Sequence, residues 1–275
     1  MKLNQLAGDQ VATAWLSEPH WYLWDGGFLL LGQSEGIVPA HAHHAIQIVM
    51  ALDGEPAICT EVDDWQSARG FIVLPDVRHS YDGRGAISAM LFVDPESFEG
   101  IWLRTSITQP LTFVSDARLA NCAGEIRKLH KRPVQSVEIG PLIRHCVHAL
   151  CTGAPPLRQP DPRITKSLKR INESKQLRVT LEEIAATVYL SPSRFAHLFS
   201  QQLGLPFRHY VLWRKLARAI LAIGRGESMT DAAQAADFAD APHLSRTFNR
   251  MFGIKPSALM RGEFFEIQSP FHARQ

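Results

Sequence analysis

The sequence predicts a two-domain chain of the α+β class. An N-terminal antiparallel sandwich or barrel is followed by an all-helical C-terminal part. Three observations predict this. Between about 20 and 95, short apolar runs are broken by Gly, Pro and Asp, the pattern of strands between turns. Beyond 162 the apolar positions step by three and four, and Gly or Pro marks the breaks, so that everything there reads as helical. Between the two lies "TGAPPLRQPDP" (Thr152–Pro162), whose proline content makes a semi-rigid linker and a domain boundary. A length of 275 residues accommodates two domains.

The strands come first. "FLLLG", "IQIVMALDG", "GFIVLPD" and "AISAMLFVDP" are the runs that predict them. From about 116 to 152 the period changes. Leu119, Cys122, Ile126 and Leu129 form one helical stripe; Ile139, Leu142, Cys146 and Ala149 form another. Pro133 separates them and Ser136 caps the second. This helical hairpin either packs on its own barrel or forms a dimer seam. The dimer seam is the reading preferred.

After the linker the sequence repeats itself. "LEEIAATVYLSPSRFAHLFSQQLGLP" (Leu181–Pro206) and "MTDAAQAADFADAPHLSRTFNRMFGIKP" (Met229–Pro256) align at an offset of 48, then 49 after one extra turn residue. Each reads as helix, tight turn, helix. In the first copy Thr180 and Glu183 make a capping box, and Ser191 caps the second helix with Pro192 at its first position. Phe195, Leu198 and Phe199 face inward, and Gly204 ends the helix. In the second copy Asp240 is the cap, Leu244, Phe248 and Met251 face inward, and Gly253 is the stop.

Each second helix is left with an outward face. It shows Ser193, Arg194 and His197 in the first copy, and Pro242, His243, Arg246 and Asn249 in the second. Arg and small polar groups near a helix N-terminus suit a major-groove reader, since Arg bonds guanine bidentately and the helix terminus favours phosphate. The connector "PFRHYVLWRKLARAILAI" (Pro206–Ile223) reads as one helix about 27 Å long. That length can hold two readers near the ~34 Å spacing of successive major grooves. Arg208, Arg214, Lys215 and Arg218 on it are candidates for phosphate contacts. The charge supports this division: residues 1–162 carry 12 Lys+Arg against 18 Asp+Glu, and residues 163–275 carry 17 against 9.

With these motifs in order, residues 163–262 resemble the AraC/XylS-type DNA-binding domain of bacterial transcription regulators. "Y...R.L..A" in the connector (Tyr210, Arg214, Leu216, Ala219) and the closing "FG..PS" complete the likeness. The resemblance implies seven helices with two helix-turn-helix units in adjacent major grooves. Base contacts would carry over to Ser193, Arg194, His197, Pro242, His243 and Arg246. Two departures stand out: Tyr189 and Asp237 occupy turn positions where the family usually has glycine. Both turns must therefore take a side chain in a left-handed conformation, which Asp tolerates better than Tyr.

The N-terminal half contains "HAHHAIQ", in which His41 and His43 would share a strand face at i and i+2 and His44 would face the other way. "G....H.H...Q......G" (Gly36, His41, His43, Gln47, Gly54) and "G....P...H" (Gly70, Pro75, His79) resemble the two boxes of a cupin. Such barrels are the sensor half of many AraC-type regulators. The fold implied is a cupin-like antiparallel β-barrel with a helical hairpin, then an all-α domain with two helix-turn-helix units. The boundaries are 1–152 for the ligand-sensing and dimerisation domain, 153–162 for the linker, 163–262 for the DNA-binding domain and 263–275 for a tail to which no role is assigned.

The resemblance implies that His41, His43, Gln47 and His79 line an effector pocket. Metal-binding cupins carry Glu where this chain has Gln47, a weaker ligand. No cofactor is expected, although His41, His43 and His79 remain candidates for a divalent metal. Trp21, Trp24, Tyr81 and Phe92 read as core or pocket wall. His145, His148 and Cys151 share a helix, where an interfacial stripe is a simpler reading than a metal site. Cys59, Cys122, Cys146 and Cys151 lack disulfide or zinc spacing and read as reduced thiols, with Cys146 and Cys151 as candidate redox sensors. The N-terminus lacks a signal-peptide core, and no apolar run is long enough to span a membrane. The expectation is a cytoplasmic, non-enzymatic, homodimeric regulator. Its partners are promoter DNA, a small-molecule effector and RNA polymerase. A metal-dependent cupin oxygenase or isomerase fused to a DNA-binding domain is the alternative.

Overall fold

The computed structural model describes residues 15–24, 27–131, 139–153, 161–174, 176–257 and 262–267. The N-terminal part is built on two sheets. The larger contains β1 (Trp15–Trp24), β2 (Gly27–Glu35), β4 (Ile46–Asp53), β7 (Gly70–Val73), β9 (Ile87–Val93), β10 (Leu111–Phe113) and β11 (Glu263–Glu266), ordered β10-β7-β4-β9-β2-β1-β11. The smaller is β3 (Ile37–His41), β8 (His79–Asp82), β5 (Ala57–Thr60) and β6 (Gln66–Ser67), in that order. All pairings are antiparallel except β1 with β11.

The larger sheet is buried on both faces, which is why its strands read as near-continuous apolar runs. Successive residues divide between the faces. Phe28, Leu30, Val49, Phe71 and Val73 face inward with Ile58 and Tyr81 of the smaller sheet. Leu29, Leu31, Ile46, Ile48 and Met50 face outward and are covered by α2 (Asp116–Lys131) and α3 (Ile139–Leu150). Leu119, Cys122, Ile126, Ile143 and Cys146 are buried there, and Arg127 donates to the Leu52 carbonyl. The helical hairpin thus packs on its own sheet through Leu119, Cys122, Ile126, Ile139 and Cys146, the other of the two arrangements expected, while Ala149 stays exposed. The capping by Ser136, the break at Pro133 and most of the proline-rich linker lie outside the described residues.

Six α-helices follow the linker among the described residues. They are α4 (Pro162–Glu173), α5 (Leu181–Thr187), α6 (Pro192–Leu203), α7 (Phe207–Gly224), α8 (Met229–Ala235) and α9 (Ala241–Phe252). The caps follow the sequence. Thr180 and Glu183 form a reciprocal capping box; Ser191 accepts from Arg194 N; Asp240 accepts from His243 N. Gly204 and Gly253 end α6 and α9 in the left-handed region, at φ 85° and 69°. Tyr189 and Asp237 adopt φ of 56° and 59°, so both turns do hold a side chain in that region. Asp237 gains compensation: its carboxylate accepts from Leu177 N and pairs with Arg178. One element is not helical. Residues 263–266, the start of the unassigned tail, return to the barrel as β11.

The apolar cores do not follow the sequence boundary. Ile164, Ile184, Phe195, Phe199 and Tyr210 form a core of α4, α5, α6 and the first half of α7 that holds no barrel residue. Trp213, Leu216 and Ile220 of α7, with Ala232 of α8 and Leu244, Phe248 and Phe252 of α9, share one core with the inside of the barrel. The second helix pair is therefore joined to the β-sheet domain, while the first has a core of its own.

Candidate DNA-reading helices and sensor cavity

The α6 and α9 helices present the expected outward faces. Ser193, Arg194 and His197 are exposed on α6, as are Pro242, Arg246 and Asn249 on α9, and His243 is half-buried with its ring edge-on to Phe238. The inward positions Phe195, Phe199, Leu244 and Phe248 are all buried. Capping and burial thus fix each helix so that its N-terminal polar face remains in solvent.

The four cations of the connector have separate fates. Arg208 is exposed. Lys215 donates to the Asp237 carbonyl and Arg218 to the carbonyl of Asn172, so they tie α7 to the turn after α8 and to the end of α4. Arg214 is 3% exposed and pairs with Asp94 at 3.8 Å. It faces the barrel and cannot reach phosphate in this arrangement. A helical period places every fourth residue of α7 on the same side, and the sequence alone did not reveal that this side meets the β-sheet domain.

Arg214 meets a buried polar group. His44 lies 3.0 Å from Glu96 Oε1 and 3.3 Å from Asp76 Oδ2. Burial alone would lower its pKa, but the Glu96 charge and the hydrogen bonds to Asp76 and Glu96 outweigh it and raise His44 to about 10. Burial, and then the adjacent Glu96, push the Asp94 carboxyl well above its usual range, whereas His44 holds Glu96 below its own despite burial. Glu96 is thus the anion facing protonated His44.

His41, His43 and His79 do converge, although not by the i, i+2 geometry expected. His41 ends β3, whereas His43 lies in the loop that crosses to β4 and His79 starts β8. Their candidate ligand atoms all lie within 4.8 Å of one another. His44 points away from them, as expected. Each Nδ1 sits against a backbone carbonyl: Pro39 O at 2.8 Å, Ala45 O at 3.0 Å and Val77 O at 2.9 Å. A carbonyl only accepts, so each Nδ1 carries the proton and each Nε2 offers a lone pair. Burial, as the largest cause, lowers all three pKa values, His41 to about 3, so the rings are neutral.

The Gln47 amide lies 3.0 Å from Nε2 of both His43 and His79. The atom placed there is Oε1, which cannot donate to an Nε2 lone pair, so with these tautomers either the amide is turned to present its NH2 to both rings or the oxygen joins three imidazoles as a fourth ligand to a cation. The residues therefore fit a divalent ion, with second-shell carbonyls fixing every tautomer. His41 and Gln47 line the cavity of the barrel, but His43 and His79 are not among its lining residues.

That cavity is apolar and has a volume of about 60 Å3. Trp21, Phe28, Met90 and Phe92 form its barrel wall; Phe248 and Phe252 of α9 and Ile254 close its mouth. Phe252 is edge-on to Phe28 and Phe92, at 5.8 Å from each, and lies 5.9 Å from His43. Gly253 rests directly on β3: a Cβ there would lie 2.6 Å from Val38 Cγ1 and 3.1 Å from His41 Nδ1. The sequence reading placed Phe248 in a reader core but missed this plug, because nothing in a linear sequence shows which barrel faces a helix end. Of the other candidates, Cys122 and Cys146 are buried and Cys151 is half-buried; His148 lies 3.5 Å from the buried Glu99. No helix among the described residues is long and apolar enough to cross a membrane.

Fold and site together define a two-part chain: a β-sheet domain with an apolar cavity, and a helical part whose repeated helix–turn–helix pairs expose Arg-bearing faces. Comparison with known proteins carries this further. The family description of a helix-turn-helix domain matches residues 184–262. That stretch of the chain is similar to this helix-turn-helix domain, and it spans nearly all of both repeated segments. The probable transcriptional regulator LumQ of Photobacterium leiognathi is 29% identical over 96 residues, 34% of this chain and 38% of LumQ. The transcriptional activator RhrA of Rhizobium meliloti is 33% identical over 85 residues, 30% of this chain and 27% of RhrA. The uncharacterised regulator YpdC of Escherichia coli is 26% identical over 164 residues, 55% of this chain and 57% of YpdC. The chain thus spans between about a quarter and somewhat over half of these curated relatives. Across both domains the fold is that of ToxT from Vibrio cholerae, with a TM-score of 0.54 at 11% identity over 90% of this chain and 95% of ToxT. A ToxT structure bound to an unsaturated fatty acid matches with a TM-score of 0.53 at 12% identity, over 92% and 96% of the two chains.

Proposed function

We propose that this protein is a sequence-specific DNA-binding transcription regulator whose N-terminal barrel binds a small molecule. The observation that carries the reading is the repeated unit: two capped helices, each preceded by a short helix and tight turn, each exposing an Arg on its N-terminal half. Arg194 and Arg246 read bases, with Ser193, His197, Pro242, His243 and Asn249 beside them; Arg208 contacts phosphate. The sensor and reader domains are 1–152 and 163–262, with 153–162 as the linker.

The effector is predominantly apolar, since aromatic and aliphatic side chains make nearly all of the cavity wall. ToxT, a distant structural relative with a fatty-acid-bound form, supports that class. A cavity of about 60 Å3 is far below the ~300–1,000 Å3 of ordinary ligand pockets. Binding therefore requires Phe248 and Phe252 to withdraw, which moves α9, and this couples ligand to DNA reading without any intermediary. The histidine triad supports a second ligand, a divalent ion, held by His41, His43 and His79.

The reading extends to a cytoplasmic homodimer on two half-sites that touches RNA polymerase. The test is fluorescence anisotropy with duplexes from the chain's own upstream region and with random duplexes of equal length at one salt concentration. Tighter binding of the first, lost in Arg194→Ala and Arg246→Ala, supports it. Equal affinity for both sinks it.

A further inference from the structure

The unassigned tail carries an inference of its own. Its strand β11 lies parallel to β1 in the register His20–Glu263, Trp21–Phe264, Tyr22–Phe265 and Leu23–Glu266. It occupies the outer edge of the larger sheet, next to β1. Alternate side chains enter different cores, as a strand of period two requires. Phe264 stacks on Trp21 at 6.1 Å in the core shared with α7, α8 and α9. Phe265 stacks on Tyr22 at 5.0 Å, and Ile267, 6% exposed, joins the core under α2 and α3. Ile267 N donates to Leu23 O at 2.8 Å, and Glu263 pairs with His20 at 3.6 Å.

The strand also touches the connector. A Cβ on Gly224, at the end of α7, would lie 2.4 Å from Leu23 Cδ1 and 3.2 Å from Phe264 Cδ1. The helix end thus sits directly on this junction, and any side chain there would have to displace Leu23 and Phe264. The chain thus leaves the barrel for the reader region and, beyond the last reading helix, returns to it. The second helix–turn–helix pair lies between two points of attachment, the end of α7 and β11.

We propose that residues 263–267 are a releasable strap that holds the second helix–turn–helix pair on the sensor barrel and limits its movement. A short parallel edge pair makes few hydrogen bonds and opens at a lower cost than the sheet beneath it. While the strap is docked, α9 keeps Phe252 in the barrel mouth. Once it is undocked, the second pair is held only by its apolar contact. The first pair, with its separate core, is indifferent to the strap. This inference does not depend on the nature of the DNA site or the effector.

Hydrogen exchange by mass spectrometry tests it. In the intact chain, β11 amides exchange faster than those of β4 and β9. In a chain ending at Gly262, and in full-length Phe264→Ala, exchange in α8 and α9 rises about tenfold while α5, α6, β4 and β9 keep their rates. A peptide of residues 262–268, GEFFEIQ, added to the shortened chain restores protection in α8 and α9, and a scrambled peptide does not. Three results overturn the proposal: unchanged exchange in α8 and α9, a uniform rise that includes α5 and α6, or β11 amides as slow as those of β4. If the shortened chain does not fold, full-length Phe264→Ala decides by the same comparison.

Discussion

Phe252→Ala is the substitution that tests the junction between sensor and reader. Phe252 is 6% exposed, and its ring meets Phe28 and Phe92 of the barrel, Trp213 of α7 and Phe248 of α9. A buried phenylalanine removes about 150–250 Å2 from water. At roughly 25 cal/mol per Å2 this is about 4–6 kcal/mol, an upper bound because the unfolded chain already buries part of it. Alanine retains some of that burial, and the neighbouring cavity hinders collapse into the gap, so a loss of about 3–5 kcal/mol is expected. Equilibrium urea denaturation measures it in a Trp213→Phe background, with tryptophan fluorescence then reporting on the N-terminal part and far-ultraviolet dichroism on the helices. Both signals should shift to lower urea, because the residue belongs to both parts. Phe199→Ala is the control: Phe199 is fully buried in the first-unit core, which contains no barrel residue, so the barrel signal should stay in place. A loss below about 1 kcal/mol for Phe252→Ala, or a barrel signal that does not move, would refute the shared core.

Other expectations follow from the same geometry. His44 has a folded-state pKa of about 10, above its ordinary 6.5, so its contribution is full below pH 6.5 and is lost as pH rises through 10. The melting temperature should therefore fall across that window in the wild type and stay flat in His44→Gln; equal slopes would remove the pairing with Glu96 from the account. Arg194→Ala and Arg246→Ala should each cost about 1–3 kcal/mol on the preferred duplex and relax sequence preference, while Arg208→Ala should weaken all duplexes alike and reduce the salt slope by about one. Arg214→Ala should leave that slope unchanged, since it faces Asp94; a reduced slope would place it on the DNA. Dialysis against zinc, nickel or manganese followed by elemental analysis should show about one ion per chain, lost in His43→Ala; no retained ion in the wild type would leave the triad as a hydrogen-bonded wall.

Local signals carried most of what the sequence revealed. Ser191, Asp240, Gly204 and Gly253 mark helix ends through short-range chemistry, and that chemistry survives in any tertiary setting. The strands of the larger sheet were legible as apolar runs, though not which face met α2 and α3, because both faces are buried and the pattern carries no label. His41 and His43 were grouped for a wrong reason and yet belong together: a loop, not a strand, brings them round. Arg214 and Phe248 misled because a helix can bury its polar or apolar side against a partner the sequence does not name. The tail was unreadable for the same reason. "EFFEI" has the aromatic and β-branched residues that strands favour but no period-two alternation, and the edge it pairs with is supplied by β1 more than two hundred residues earlier.

The central claim is that two helix–turn–helix pairs read one duplex. Hydroxyl-radical footprinting on a duplex selected from a random library by the full-length chain tests it most directly. The account predicts two protected segments about one helical turn, ~10 base pairs, apart, with Arg194→Ala removing protection from one segment and Arg246→Ala from the other. A single short footprint that loses protection only in Arg194→Ala would show that α9 does not read DNA, and would contradict the account.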